Sequence, residues 1–271
     1  AINLSPNEQA PALEPIGPQT IRHGSLDLND SIAVLPPEVL DGVSDFMVEF
    51  WYRTDRTQTS TLLSAAEDDS TANEFSVFLL SANSLRVIDN HDQQLDFTGL
   101  PNLTDNQWHH YAIVRDAQSA TLRLFIDGQY IDQDKSLAST SAYAVVPGGF
   151  VIGQDQDDVG GRYSSSQAAY GQLDELRFWD RFWGDGDGLQ QQQQQVLMNR
   201  DRVVVSDSSF LRAQYKFDET SVEQIFDSSS NAFHGRLGDF EVNLLDEERD
   251  TRPPAGRAAS APIRNVIRVD V

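Results

Sequence analysis

Phe46-Met47-Val48-Glu49-Phe50-Trp51-Tyr52-Arg53 reads as one strand with two usable faces. Successive side chains of a strand point to opposite sides, so Phe46, Val48, Phe50 and Tyr52 share one face while Met47, Glu49, Trp51 and Arg53 share the other. The same period recurs along the chain. Residues 74–80 and 84–89 are apolar runs separated by a few small polar residues, which makes them neighbours in a sheet. Residues 108–115 alternate again. Segments 120–126 and 129–132 flank Asp127-Gly128, a strong short hairpin signal because the turn requires positive φ at its central residues. Segments 150–153, 171–179, 211–217 and 233–237 complete the set, with a turn at 226–231. Short strands at regular spacing predict an all-β chain, an antiparallel β-sandwich of the jelly-roll kind.

The chain of 271 residues has room for one large sandwich or two small domains. Its centre, 21–240, carries the strand pattern. Pro6, Pro11, Pro15 and Pro18 mark 1–20 as an extended N-terminal arm. Residues 241–271 read as an extended C-terminal tail whose end alternates, with Ile263, Asn265, Ile267, Val269 and Val271 on one face. A strand-like tail has to pair its backbone somewhere. Between strands lie a Gly/Asp run at 184–188 and six glutamines at 190–195. Glutamine is a good helix former, and Leu189, Val196, Leu197 and Met198 give apolar support, so 189–200 reads as a short helix, with a low-complexity linker as the alternative.

Charge narrows the partners. Acidic residues number 42 against 20 basic ones, for a formal net charge of −22. Nucleic-acid binding needs a basic face and is excluded as a general activity; docking on anionic lipid is disfavoured for the same reason. The acidic balance favours cations or neutral molecules. Only Lys135 and Lys216 are lysines, so most of the basic groups are forked guanidinium groups. With no cysteine, disulfides, thiolate metal sites and thiol nucleophiles are ruled out. No apolar run reaches the ~18 residues a membrane-crossing helix needs. The first residue is alanine, consistent either with a trimmed chain or with a mature protein after signal-peptide cleavage.

Two stretches carry a family resemblance. Trp108-His109-His110-Tyr111-Ala112-Ile113-Val114-Arg115 with Leu124-Phe125-Ile126-Asp127-Gly128 is similar to the laminin-G-like/pentraxin superfamily of concanavalin A-like jelly rolls. Phe150-Val151-Ile152-Gly153-Gln154-Asp155-Gln156-Asp157, Gly160-Gly161, Gln167 and Gly171-Gln172-Leu173-Asp174-Glu175-Leu176-Arg177-Phe178-Trp179 resemble the pentraxin-type calcium loop and the strand after it. The resemblance spans roughly 21–240 and implies Ca2+ as the bound ion. It implies as ligands Asp155, the Gln156 backbone carbonyl, Asp157 and Gln167, with Asn73 from an earlier loop. Ala72 and Ser164 stand where the family pattern has acidic ligands, which points to one calcium rather than a pair, with Asp68, Asp69 or Asp158 as substitutes. The donor chemistry agrees independently: Asp155 and Asp157 flank Gln156 in a glycine-rich loop, and calcium takes ~6–8 hard oxygen ligands. A solvated acidic loop is the competing reading.

Catalytic signals are weak. The chain has no His-Glu-x-x-His, Gly-x-Ser-x-Gly or phosphate-binding loop. Adjacent acids at Asp174 and Glu175 fall on opposite faces of a strand, unlike a glycosidase pair. His109 and His110 likewise diverge, with one expected to be packed and the other solvated. Of Trp51, Trp108, Trp179 and Trp183, the last is the best candidate for an exposed aromatic. The resulting expectation is a non-catalytic, secreted protein of adhesion or recognition, whose partner is a glycan or an extracellular protein surface bound through ligand residues the sequence leaves unknown. The alternative is a structural subunit of an extracellular filament or surface assembly, a homo-oligomer or polymer joined by its terminal strands.

Overall fold

The structure is a computed structural model. It describes residues 23–29, 31–68, 73–90, 93–161, 163–180, 188–200, 204, 206, 208, 210–218 and 223–239, together with the backbone of one strand near the C-terminus. The expected N-terminal arm, Trp183, most of the 184–188 run and nearly all of the C-terminal tail lie outside these residues.

In chain order the strands are β1 (His23–Asp27), β2 (Ser31–Leu35), β3 (Phe46–Arg53), β4 (Ser60–Ala65), β5 (Phe75–Ser81), β6 (Ser84–Asp89), β7 (Gln93–Thr98), β8 (His109–Asp116) and β9 (Thr121–Ile126). They continue with β10 (Gln129–Tyr130), β11 (Lys135–Ser136), β12 (Phe150–Ile152), β13 (Gln172–Trp179), β14 (Leu211–Tyr215), β15 (Gln224–Ile225), β16 (Gly235–Asp239) and β17 (Val266–Val269). The glutamine tract forms the helix α1 (Leu189–Arg200). The first sheet runs β10-β9-β8-β3-β13-β1-β17, with β11 also on β9 and β14 on β13; the second runs β15-β16-β2-β12-β4-β5-β6-β7. Each described pairing is antiparallel, as in β3–β8, β4–β5 and β1–β17.

The strand that decides the fold behaves as its alternation requires. Phe46, Val48, Phe50 and Tyr52 enter the main core between the sheets, with Leu63, Phe75, Val77, Tyr111, Ile113, Phe150, Leu173 and Phe178. Its other face is covered as well: Met47 joins Ala112, Val114, Phe125, Trp179, Val196, Val204 and Leu211 in a second cluster. A sheet covered on both sides reads as nearly continuous apolar sequence, which is why β3 and β8 look so hydrophobic. The helix supplies part of that cover, seating Gln192, Gln195, Val196 and Asn199.

Turn chemistry sets several boundaries. Asp127 and Gly128 have φ of 52° and 76°, and they join β9 to β10 as a tight hairpin. The strand expected to reach 217 stops at Tyr215, and Phe217 turns to φ 51°. The strand expected at 233–237 is displaced to Gly235–Asp239: Ala232 has φ 55°, and the Phe233 carbonyl accepts the Tyr215 hydroxyl at 2.6 Å, so the turn persists two residues longer. The C-terminal strand β17 lies antiparallel on this chain's own β1, Leu26 opposite Val266 and His23 opposite Val269.

Candidate metal centre

After β12 the chain turns at Gly153 (φ 93°) and doubles back over the outer face of the second sheet. Tyr163 and Ala168 of this returning loop pack on Ile32, Val34 and Val151. Gln156 fastens the loop. Its Nε2 points at the Ser64 carbonyl (3.1 Å), the Ser64 hydroxyl (3.2 Å) and the Gly149 carbonyl (2.8 Å), and its Oε1 accepts the Gly160 N–H at 2.8 Å. With the side chain so consumed, the backbone carbonyl is what Gln156 has left to offer a cation.

Asp155 lies at the centre, only 9% exposed. Asn73, just before β5, donates from Nδ2 to Asp155 Oδ1 at 3.0 Å. Gln167 donates from Nε2 to Asp155 Oδ2 at 2.9 Å. Asn73 is held in turn by Ser64 of β4, whose hydroxyl donates to Asn73 Oδ1 at 3.2 Å. The fold therefore brings Asn73, Asp155, Gln156 and Gln167 together from three separate stretches of sequence. Burial pushes the Asp155 carboxyl up to about 6, opposed by the Asn73 hydrogen bond and reinforced by the negative charge of Asp157. Among the described residues no positive group faces this carboxylate.

The donor set fits a hard cation. Each amide facing Asp155 carries an oxygen that half a turn about its last side-chain bond would bring to the position of its nitrogen. Calcium accepts such neutral oxygens alongside carboxylates. Among the described residues no three His, Asp or Glu side chains gather into a metal-sized cluster, so an ion here depends on Asp155 and Asp157 with amide and carbonyl oxygens. Of the possible substitutes, Asp69 lies outside the described residues, as does Ala72. Asp158 uses its backbone carbonyl to accept Gly161 N–H at 2.9 Å. Ser164 shapes the loop instead of supplying an acid: its carbonyl accepts Gln154 Nε2 at 2.8 Å and Gln167 N–H at 3.0 Å.

The histidines depart from expectation: both are buried. His109 bridges Asp127 (2.8 Å) and Asp105 (3.2 Å), and these acids raise its pKa against the opposing effect of burial. His110, expected to be solvated if His109 is packed, is 1% exposed because its face of the sheet is covered; it meets Glu49 at 3.5 Å. Glu49 is itself fully buried, accepting Trp179 Nε1 at 2.9 Å with Arg177 at 3.5 Å. At Glu175 (φ 49°) a bulge interrupts the β13–β3 ladder. Glu175 accepts from Arg177 at 2.7 Å, whereas the Asp174 carboxyl is raised to about 8, chiefly by burial and then by the charge of Glu175.

Sequence patterning missed one other gathering. Arg53, Arg56, Tyr170 and Gln172 line an open polar cleft at one end of the sandwich. The only hint was Arg53 closing the outward face of β3.

A family model described as the concanavalin A-like lectin/glucanases superfamily (Laminin_G_3) matches residues 27–185. Human Pentraxin-4 is 32% identical over 136 residues, 48% of this chain and 27% of that protein. Mouse neuronal pentraxin-2 is 35% identical over 80 residues, 29% of this chain and 18% of that protein. The matched segments thus span about a quarter or less of these curated relatives. A solved Bacteroides ovatus structure, of a protein provisionally designated carbohydrate-binding, superposes with a TM-score of 0.60 at 15% identity, covering 80% of this chain and 58% of that one. At that identity the likeness concerns the fold alone.

Proposed function

The chain belongs to the concanavalin A-like lectin/glucanases superfamily, and on that premise we propose that it is a non-catalytic extracellular recognition domain. It engages a glycan or an extracellular protein surface and holds Ca2+ in the loop around Asp155. The observation that carries this reading is the convergence of Asn73 and Gln167 on the buried Asp155 carboxylate. In the bound state Asp155, Asp157, Asn73, Gln167 and the Gln156 carbonyl supply the oxygens, and the ion supplies the missing positive charge. Glu175, the acid next to Asp174, is held by Arg177 at 2.7 Å, which favours binding over hydrolysis. Glycan-array binding and calorimetry, each with Ca2+ and with EDTA, test it. Calcium binding by the wild type that is lost in Asp155→Asn is expected; equal Ca2+ uptake by both proteins refutes the site.

A second reading, a filament or surface-array subunit, requires exchange of the C-terminal strand between copies, a strand that in this structure pairs with the chain's own β1. The same ladder offered by another copy's tail would join subunits end to end. Deleting 255–271 should then abolish higher oligomers in light scattering, and a full-length chain that is monomeric at all concentrations removes this reading.

A further inference from the structure

We propose that the cleft between Arg53 and Arg56 is a second binding site, for the oxyanion of an acidic saccharide, a carboxylate or sulfate group carried on a sugar ring. The cleft forms where the end of β3 meets the start of β13, Arg53 opposite Gln172. Gly171 makes that approach possible. Its φ is +131°, and a Cβ there would lie 2.2 Å from the Arg53 carbonyl oxygen.

The arginines in this cleft differ from most of the others described. Arg86, Arg115, Arg123, Arg177 and Arg212 each hold a carboxylate at 3.1 Å or less. Arg53 makes no ion pair among the described residues. The ion pair of Arg56 is with its neighbour Asp55 at 3.6 Å, both side chains mostly exposed, and such pairs hold little energy. In a chain of net charge −22, most of the described arginines hold a carboxylate and Arg53 does not. Both are instead backed by rings: Arg53 lies 5.0 Å over Trp108 and Arg56 lies 5.7 Å over Tyr170. Ring stacking holds a guanidinium in place while leaving its edge of N–H donors open, and that edge matches the two oxygens of a carboxylate or sulfate. Arg53 also donates to Gln172 Oε1, which leaves Gln172 Nε2 as a further donor.

The remaining walls favour a sugar as carrier. Asn29 and Asn106 place amides, and Asp55 an acceptor, around the arginines, a mixture suited to ring hydroxyls. The negative field of the whole chain repels long polyanions, so the ligand is a short acidic oligosaccharide. None of the residues lining this cleft is a proposed calcium ligand.

Calorimetry with trigalacturonate and with a sulfated heparin tetrasaccharide, each beside its carboxyl-reduced or desulfated counterpart, tests the proposal in Ca2+ and in EDTA. At least one acidic sugar should bind at least tenfold more tightly than its neutral counterpart, and the better binder identifies the anion. Arg56→Gln should weaken binding about tenfold, and Arg53→Gln/Arg56→Gln should abolish it. Asp155→Asn and EDTA should leave affinity unchanged, so the metal reading and this one fail separately. Arg56 is exposed, so its single variant carries the test if the double variant is unstable. Equal binding of neutral sugars, no binding of either acidic sugar at millimolar concentration, full affinity in Arg56→Gln, or loss of binding in EDTA overturns the proposal.

Discussion

Replacing Asp155 with Asn should change stability in opposite directions with and without Ca2+. Asp155 is buried, and its carboxyl is raised from the ordinary 3.8 to about 6. A carboxyl raised in the fold is easier to protonate there than in the unfolded chain. Its contribution is therefore most favourable at or below about pH 4 and is lost as pH climbs through the folded value. The difference corresponds to up to about 3 kcal/mol at ~1.4 kcal/mol per pH unit. Asparagine keeps the shape without the charge but cannot accept from both Asn73 and Gln167 unless one amide turns, a cost of about 1 kcal/mol. In EDTA, the stability of Asp155→Asn relative to wild type should rise between pH 4 and pH 7 by about 3 kcal/mol, roughly 6–12 °C at ~2–4 °C per kcal/mol. At neutral pH without Ca2+ the variant should match or exceed the wild type. With Ca2+ at about 100 times its Kd, the wild type gains about 2.7 kcal/mol and the variant gains nothing, so the order reverses. Calorimetric melting across pH 4–7 in both buffers reads this directly. A wild-type-minus-variant difference that ignores pH in EDTA, or Ca2+ stabilising both equally, would refute the reasoning.

Three other outcomes follow from the geometry. Asp174, raised to about 8, also loses favour on ionising, so the relative stability of Asp174→Asn should grow steadily from pH 5 to pH 8 and level off above pH 9; a flat profile in urea titrations contradicts the assigned burial. Glu49→Ala leaves Arg177 and Trp179 Nε1 short of their buried partner and should cost about 3–5 kcal/mol in chemical denaturation, with Glu49→Gln milder; a cost under about 1 kcal/mol means water replaces the carboxylate. Gly171→Ala drives a methyl against the Arg53 carbonyl at positive φ and should cost about 1–3 kcal/mol or more; an unchanged melting temperature would show that the β3–β13 end is looser than described.

Legibility in the sequence tracked how local each signal was. β3 and the Asp127-Gly128 hairpin were plain because alternation and turn chemistry are complete within a few residues. β7 gives only a weak signal although Leu95 and Phe97 point inward with Gln94, Asp96 and Thr98 outward, because two apolar residues make a short period and aspartate is depleted in strands. β1, β2 and β4 carry too few contrasting residues to show a period. The Asp155 loop was reached through resemblance, and its donors Asn73 and Gln167 came with it, but the part of Ser64 in orienting Asn73 was not visible. The fate of His110 depended on what covers its side of the sheet, a tertiary matter. The Arg53 cleft was hidden because its walls meet only when β13 pairs with β3.

The glutamine tract is uniform in composition and strict in position. Gln192 and Gln195 are buried against the first sheet, Arg123 reaches Gln192 at 3.3 Å, and Asn199 takes Arg177 on its carbonyl at 2.8 Å. Each residue added to a helix rotates everything beyond it by about 100°. A single extra glutamine would thus swing Val196 and Asn199 away from the sheet and strand Arg177, so a run that looks free to lengthen or shorten is counted to the residue.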